Sequence, residues 1–441
     1  MNRVTLLLAV VLLCGGAQLW AGGAQEKPEV SAGPVEVTWL AHPVLWTVTG
    51  EGDLAAKYQK DHPNVKITPA LYSVDVVREK AMIEISSGSG EFDIISLANN
   101  IYRTDLGGNA FVDLKNKFKE IPDFDDFSKG FVDMFKADDG VYGALPMRSG
   151  LATTLFRKDL FDKYALPSPQ SKPYAIPTFI ANAQKLTLDT NGDGVTDVYG
   201  FSFKGKEGSQ MVDDLETWLY AFGGRIVDDK TRKATINTPA SIEAVQHMID
   251  MVHKYKVCPP GTFSYTSTEE ATLIKEGKSA QADHWWNYAA QYNNPKDSKV
   301  AGSIALGYVP EKVGAGLGYG HGGGWGMFLN KKSKKNAAAW EWMKFVTNKE
   351  NQVYELVRGN GPTRISVFAT KEFAEAAAGA AGAKIVADYY AAIKIPPPFP
   401  EWVQVREIAA KHYSLALNNA KTAKQAMDDA AKEIDALTQK K

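Results

Sequence analysis

The segment ADHWWNYAAQY, residues 282–292, places the carboxylate of Asp283 close to the three large rings of Trp285, Trp286 and Tyr288. Asp283 could accept two hydroxyl protons in a charge-assisted pair of hydrogen bonds. The rings of Trp285 and Trp286 could lie flat against the C–H faces of the same molecule, although we expect one of the two to fill the core instead. The pattern indicates a surface for a hydroxyl-rich small molecule, where a strand gives way to a helix.

A second candidate segment is GLGYGHGGGWGMFLN, residues 316–330, in which glycines surround Trp325. Glycine lets the backbone approach a ligand closely or change conformation. A phosphate cradle would need a helix N-terminus directly after the loop and usually a Lys within it. Here a strand pattern follows, so we interpret the segment as a hinge or a ligand wall that carries Trp325.

A third segment, LTLDTNGDGVTDVYGFSF, has the first nine places of a calcium-binding EF-hand loop. The loop needs a bidentate Glu at its twelfth place and a helix after it, but Gly200 and a strand pattern stand there. We therefore favour a turn between two elements. A structural Ca²⁺ held by Asp189, Asn191 and Asp193 remains the alternative, and no cofactor is required.

Known catalytic arrangements are absent from the sequence. The seven His are scattered, no HxxxH or G-x-S-x-G motif occurs, and Cys258 is the one cysteine left beyond the predicted leader. Adjacent carboxylates such as Asp213 and Asp214 diverge in direction and are interpreted as solvated surface. We expect no enzymatic activity. Glycan hydrolysis stays an alternative, because its two carboxylates come from distant strands.

The bulk properties describe a globular protein large enough for two domains. The chain has 441 residues, of which 44% are apolar, and its 50 basic residues nearly balance 51 acidic ones. Such a balance, without a long run of one sign, favours neither nucleic acid nor an anionic membrane as a partner. We expect a monomer with a small or neutral partner.

The N-terminus has the three-part pattern of a secretory signal peptide, with one Arg, an apolar run and then small residues. We predict a signal peptide over residues 1–24 and a polar tether over residues 25–34, so the mature protein is periplasmic or otherwise extracytoplasmic. Leu13 stands where a lipoprotein signal has a small residue, which favours soluble cleavage. A lipid anchor at Cys14 is the alternative.

The rest of the chain alternates between strand and helix patterns. This order predicts an α/β fold in which parallel sheets have helices on their faces. Ligands of such open sheets lie beyond the carboxyl ends of the strands, which points to residues 41–42 and, after the third strand, to Asn99 and Asn100, with His42 and Asn100 as the candidate contacts. The strand patterns are at 35–40, 65–72, 93–97, 152–156 and 199–203, and the helix patterns are at 51–62, 76–86, 177–188, 239–255, 336–347 and 401–418.

Six segments occur in a distinctive order along the chain: YQKDHPNVKI, GEFDIISLANNIYRTDLGGNAFVDL, VYGALPMRSGLATTLFRKDLFDKYALP, GKSAQADHWW, GGGWGMFLNKKSKKNAAAWEW and GNGPTRIS. In this order they resemble the periplasmic solute-binding proteins of sugar ABC importers, and most closely the polyol and mannitol-type members. The resemblance extends over nearly all of the predicted mature chain.

The resemblance implies a two-lobed clamshell with a mostly parallel sheet and flanking helices in each lobe. The first lobe would be residues 35–146 plus 325–368, and the second lobe residues 147–324 plus 369–441. Ligand would bind in the cleft between the lobes, and the β-rich crossings would act as hinges.

The resemblance also implies a function and a site. The protein would bind a sugar or polyol outside the cytoplasm and deliver it to ABC permease subunits, and a chemosensory role would look the same in sequence. The alternative is an exported glycan-active enzyme, and a calcium-dependent module is a third reading. Together with the residues singled out above, the expected ligand contacts are His42, Asn100, Arg148, Asp283, Trp285, Trp286, Trp325 and Arg364.

Overall fold

The computed structural model describes residues 33–99, 110–137, 140–314, 316, 320–392 and 399–439. The predicted signal peptide, the tether up to residue 32 and the candidate residue Asn100 lie outside these ranges. The statements below concern the described residues.

The strands form one mixed sheet in the order β2-β1-β3-β7-β4-β5, with β6 paired to β4. Helices connect β1, β2 and β3, and these strands are parallel, as the alternating pattern predicts. The remaining pairings are antiparallel, so the α/β class is confirmed but the second lobe does not have a mostly parallel sheet. The strands are β1 (Val35–Ala41), β2 (Val65–Leu71), β3 (Ile94–Ala98), β4 (Ala144–Arg157), β5 (Gln281–Trp285), β6 (Ile304–Gly307) and β7 (Gly322–Leu329).

Several helices begin at a side-chain cap that the sequence supplies. In the helix over residues 239–253, for example, the side chain of Thr238 accepts a hydrogen bond from the backbone of Ser241, and Pro239 occupies the first turn. Within the described ranges, no helix is both long and apolar enough to cross a bilayer. The α-helices are α1 (Pro43–Thr47), α2 (Glu51–Asp61), α3 (Val74–Ser87), α4 (Lys129–Met134), α5 (Lys158–Lys163), α6 (Ile176–Lys185), α7 (Ser209–Ala221), α8 (Pro239–His253), α9 (Ser267–Lys275), α10 (Ala289–Tyr292), α11 (Asn336–Val346), α12 (Lys349–Leu356), α13 (Lys371–Ala376), α14 (Ala380–Ala392), α15 (Trp402–Leu417) and α16 (Ala423–Thr438).

Separate hydrophobic cores stabilise the two lobes. In the first lobe, alternate residues of a strand face opposite sides of the sheet, so Trp39 belongs to one core and Leu40 to another. The second lobe has one large core that includes Trp218. Residues of the C-terminal helices, such as Met427, pack into that second core, so the chain returns to the second lobe at its end.

Three segments cross between the lobes and meet in a region that we call the junction: residues 148–151 of β4, residues 322–325 of β7, and residues 359–363. The first part of β4 pairs with β7, and its second part pairs with β5 and β6. The third crossing is tied to β4 by the backbone N of Ser149, which donates to the carbonyl O of Gly361 at 2.9 Å. Both β4 and β7 run through the predicted lobe boundaries, and the division itself stays a prediction.

One predicted strand is reduced to isolated bridges. Tyr199 and Ser202 form single parallel bridges with Ser279 and Ala282, beside β5, instead of a continuous ladder. The sequence pattern therefore locates the extended segment correctly but overstates its pairing.

Candidate binding site at the lobe junction

His42 and Trp325 lie together on the first-lobe side of the junction. His42 follows β1 and caps α1, and its Nδ1 accepts a hydrogen bond from the backbone N of Val44 at 3.3 Å. The ring centroids of His42 and Trp325 are 6.2 Å apart. Burial, and then the charge of Arg148, lower the pKa of His42, so its ring is neutral and the Nε2–H can donate to a ligand.

Arg148 supplies the positive charge on this side. It stands on β4 opposite Trp325 of β7, and its Nη2 donates to the carbonyl O of Gly359 at 3.4 Å. Two buried acids, Glu51 and Glu355, are close enough to interact electrostatically with Arg148. Burial raises the pKa of Glu51 to about 8, and burial followed by the charge of Glu51 raises the pKa of Glu355. Because Glu51 tends to keep its proton at pH 7, it does not neutralise the guanidinium of Arg148, which stays available for a ligand.

Trp285 forms the second-lobe side of the junction. It is the last residue of β5 and is half-buried. A Cβ atom built on Gly150 would lie 3.1 Å from Cε3 of Trp285, so the ring covers the β4 backbone two residues beyond Arg148. The edge of His321 meets this ring at a centroid distance of 5.7 Å. Two half-buried Trp rings, 285 and 325, therefore flank one short stretch of β4.

Trp286, by contrast, fills the core of the second lobe. It is fully buried, its ring lies 5.4 Å from that of Phe373, and its Nε1 donates to the hydroxyl of Tyr390 at 3.0 Å. The same hydroxyl lies 2.7 Å from Oγ of Ser149 on β4. Trp286 thus anchors the crossing strand from behind, and the expectation that one of the adjacent Trp residues is a core residue holds for this one.

Asp283 and Arg364 are also buried and bound to protein groups. Thr154 donates to Oδ1 of Asp283 at 3.2 Å, and the carboxylate lies among helices α7 and α9, two residues before the end of β5. Arg364 donates to the carbonyl O of Thr347 at 2.6 Å and to Oδ2 of Asp123 at 2.8 Å. Because Asp283, Trp286 and Arg364 are buried and bound to protein groups, the structure argues against their expected contacts with ligand.

Asn100 lies outside the described residues, but its neighbour Asn99 is described. The side chain of Asn99 is buried, and its Oδ1 accepts a hydrogen bond from the backbone N of Gly324 at 3.1 Å. It therefore joins the carboxyl end of β3 to the crossing of β7.

A charged cluster that the sequence interpretation missed lies beside Trp285. Arg406 of α15 pairs with Asp213 and Glu216 of α7, and His321 precedes β7 with Nδ1 at 3.0 Å from Glu216. The divergence of Asp213 from Asp214 is as predicted. Their interpretation as solvated surface is wrong, since Asp214 is buried against Lys204. His321, which lies within the glycine-rich segment 316–330, was the feature of the sequence that could have indicated this cluster.

Comparison with known proteins identifies the family to which this architecture belongs. A family model described as "Bacterial extracellular solute-binding protein" matches residues 50–353. The chain belongs to this family.

Individual relatives are distant and are matched over part of their length. A "Probable ABC transporter-binding protein" of Deinococcus radiodurans is 25% identical over 234 residues, 53% of this chain and 54% of that protein. The "Mannitol-binding protein" of Pseudomonas aeruginosa is 22% identical over 263 residues, 59% of this chain and 57% of that protein. The chain thus spans between a half and three fifths of the length of these relatives.

Solved structures of solute-binding proteins show the same fold. Maltose-bound MalE3 of T. maritima has a TM-score of 0.80 and 22% identity, and the match covers 91% of this chain and 100% of that one. A solute-binding protein of Agrobacterium vitis S4 with bound D-mannitol has a TM-score of 0.76 and 22% identity, and the match covers 92% of this chain and 99% of that one. At such identities the likeness concerns the fold, and it agrees with the two-lobed architecture expected from the sequence.

Proposed function

We propose that this protein is the extracytoplasmic binding component of an ABC importer, which binds a neutral sugar or polyol between its lobes and delivers it to membrane permease subunits. Membership of the solute-binding family supports the binding role. The names of relatives and the ligands of the solved structures, which include mannitol, ribitol and maltose, support the ligand class.

The observation that carries the proposal is the convergence at the junction. Trp325 and Trp285 flank residues 148–150 of β4 from different lobes. Arg148 stands opposite Trp325, and the neutral ring of His42 lies 6.2 Å from the Trp325 ring. Aromatic planes bind the C–H faces of a polyol, while the Arg and His groups hydrogen-bond its hydroxyls. Because the contacts come from both lobes, ligand would favour the closed over the open conformation.

A titration monitored by tryptophan fluorescence tests this proposal. Ribitol, D-mannitol, D-tagatose and maltose are added in turn, and we expect a saturable change with at least one of them, because Trp285 and Trp325 are half-buried at the junction. Trp285→Phe should reduce the amplitude, whereas Trp340→Phe, a Trp in the first-lobe core, should not. Unchanged fluorescence with all four compounds, in protein shown to be folded, would contradict the proposal.

We further propose that binding is the whole function, without a catalysed reaction. The acids whose pKa values burial raises are at most 1% exposed, so they do not reach the two sides of a bond in a ligand. They include Glu51, Glu270, Asp283 and Glu355. Release of reducing ends from maltotriose at catalytic protein levels, lost on changing one carboxylate, would instead support a glycan-active enzyme.

We also propose that the 189–197 loop needs no calcium for folding. Backbone N–H groups already bind its side chains: Oδ1 and Oδ2 of Asp189 accept from Gly192 at 2.7 Å and Gly194 at 2.8 Å, and Oδ1 of Asp193 accepts from Val195 at 2.8 Å. We expect the same unfolding midpoint in EDTA and in millimolar CaCl₂. The opposite result would be a wild-type midpoint that calcium raises and an Asp189→Asn midpoint that calcium does not change. That result would assign a structural ion to the loop.

Export, processing and assembly also remain proposals. We propose cleavage after the predicted signal peptide to give a soluble monomer, with an anchor at Cys14 as the alternative. The intact mass of the protein recovered from its natural compartment distinguishes the two, since an anchored protein would begin at a lipid-modified Cys14. Light scattering of the same sample tests the monomer.

A further inference from the structure

In the charged cluster beside Trp285, one carboxylate oxygen accepts no hydrogen bond from any residue that the structure describes. Oδ1 of Asp213 accepts a hydrogen bond from Nη2 of Arg406 at 2.5 Å and lies 3.4 Å from Nε2 of His321. No described residue donates to Oδ2 of Asp213. The Asp213 side chain is 18% exposed, whereas that of Glu216 in the same cluster is 2% exposed.

The other members of the cluster hold Asp213 in place. Nη1 of Arg406 pairs with Glu216, its Nη2 also donates to the carbonyl O of Ser209 at 2.7 Å, and the backbone N of His321 donates to Oγ1 of Thr217 at 3.0 Å. Asp213 and Glu216 are three residues apart and share one face of α7. A carboxylate fixed in this way is ready to accept a hydrogen bond without first being ordered.

The cluster also belongs to the junction. His321 directly precedes the crossing of β7, and its ring meets the ring of Trp285 at 5.7 Å. The Asp213 side chain therefore lies next to the His321 ring, which in turn meets the Trp that we assign to ligand stacking. This is the pairing of carboxylate and aromatic plane that the sequence suggested for Asp283.

A metal ion is the competing occupant. Asp213, Glu216 and His321 offer ligand atoms within 4.8 Å of one another. The guanidinium of Arg406 already pairs with both carboxylates, so a second cation would be repelled by its charge. A neutral hydroxyl donor meets no such repulsion.

We propose that Oδ2 of Asp213 accepts the hydrogen bonds of ligand hydroxyls on the second-lobe side, with Arg406 and His321 as positioning residues. This rests on the function proposed above and narrows its ligand class. The ligand carries neutral hydroxyls where it meets Asp213. A ligand with a carboxylate at that place is rejected, because two like charges would be brought together away from bulk water.

The test compares neutral ligands with acids of the same carbon skeleton. Dissociation constants are measured by calorimetry for D-mannitol and D-mannonate, and for maltose and maltobionate. The wild type should bind at least one neutral compound and bind its acid partner much more weakly. Asp213→Asn should weaken binding of the neutral compound by about 10- to 100-fold, since a hydrogen bond to a charged group is lost. It should also reduce the ratio between the dissociation constants of the acid and the neutral compound.

Asp229→Asn is the matched control. Asp229 is an exposed carboxylate of the same lobe, paired with Arg225 at 3.7 Å, and its loss should leave every constant unchanged. Asp213→Glu guards against a folding defect, because it keeps the charge that pairs with Arg406 but displaces the carboxylate by one methylene. It should unfold near the wild-type midpoint and still bind the neutral compound weakly.

The outcomes separate this proposal from the one on which it rests. A folded wild type that binds neither D-mannitol nor maltose counts against the proposed ligand class as a whole. If the wild type binds one of them, and folded Asp213→Asn and Asp213→Glu bind it with the wild-type affinity, only the role of Asp213 is overturned. Equal loss of alcohol and acid binding in Asp213→Asn would also overturn it, because a purely structural change does not alter the discrimination.

Discussion

Lys204→Met should lower the free energy of unfolding by about 3–5 kcal/mol at pH 8, which is the usual cost of removing one partner from a buried ion pair. Lys204 is 2% exposed in the second lobe. Its Nζ pairs with Oδ1 of Asp214, lies 3.8 Å from Oε2 of Glu270, and donates to the carbonyl O of Asp283 at 3.5 Å. Methionine fills a similar volume but leaves three buried carboxyl groups without a cation.

The size of this loss should depend on pH. Burial, and then the charge of Asp214, raise the pKa of Asp283 to about 7, well above its unfolded value near 4. A carboxyl group with a raised folded pKa binds more protons in the folded state, so its stabilising contribution is present at low pH and is lost as pH rises through 7. Without Lys204 the carboxyl groups would hold their protons more tightly. The loss in free energy of unfolding caused by Lys204→Met should therefore be smaller at pH 5 than at pH 8.

Urea unfolding of wild type and variant at pH 5 and pH 8 measures both effects. Lys206→Met is the matched control, because Lys206 is two residues away and exposed, and it should change stability by less than about 0.5 kcal/mol. A deficit below about 1 kcal/mol at pH 8, or one that grows toward pH 5, would show that Lys204 does not hold the buried acids in the ionised state.

Much of the fold could be predicted because it depends on local patterns. Helix α8 begins at Pro239 because Thr238 caps it, and its apolar residues recur at helical spacing. The parallel arrangement of β1, β2 and β3 follows from the helices between them. The antiparallel pairing of β7 with β4 was not predictable in this way, because the two strands are about 170 residues apart and no connecting helix sets their direction.

The candidate site was predicted in part for the same reason. Strand ends gave His42, and the glycine-rich segment gave Trp325, both of which lie at the junction. A strand pattern cannot say how deep a residue lies, so Asp283, two residues before Trp285, was placed at the surface although helices cover it. The pairing of Asp213 with Arg406 joins residues 193 positions apart and depends on the packing of α7 against α15, which only the tertiary structure supplies.

Gly361→Ala should lower the free energy of unfolding by about 3 kcal/mol, the upper end of the usual range for overpacking a buried site. A Cβ atom built on Gly361 lies 2.0 Å from the carbonyl O of Ser149. That atom belongs to the backbone of β4, so no side-chain rotation can relieve the contact, and the third crossing must separate from β4. The hydrogen bond between Ser149 Oγ and the carbonyl O of Pro362, 2.6 Å in length, would be strained as well.

The same substitution should also weaken ligand binding, since Arg148 directly precedes Ser149 and would move with the displaced strand. Gly130→Ala is the control: Gly130 lies in α4, the nearest atom to its built Cβ is 3.9 Å away, and alanine there should be neutral or stabilising by up to about 1 kcal/mol. Urea unfolding and calorimetry with the ligand found for the wild type measure the two effects. Wild-type stability and affinity in Gly361→Ala would mean that the third crossing does not depend on close contact with β4, and that the junction is held by β4 and β7 alone.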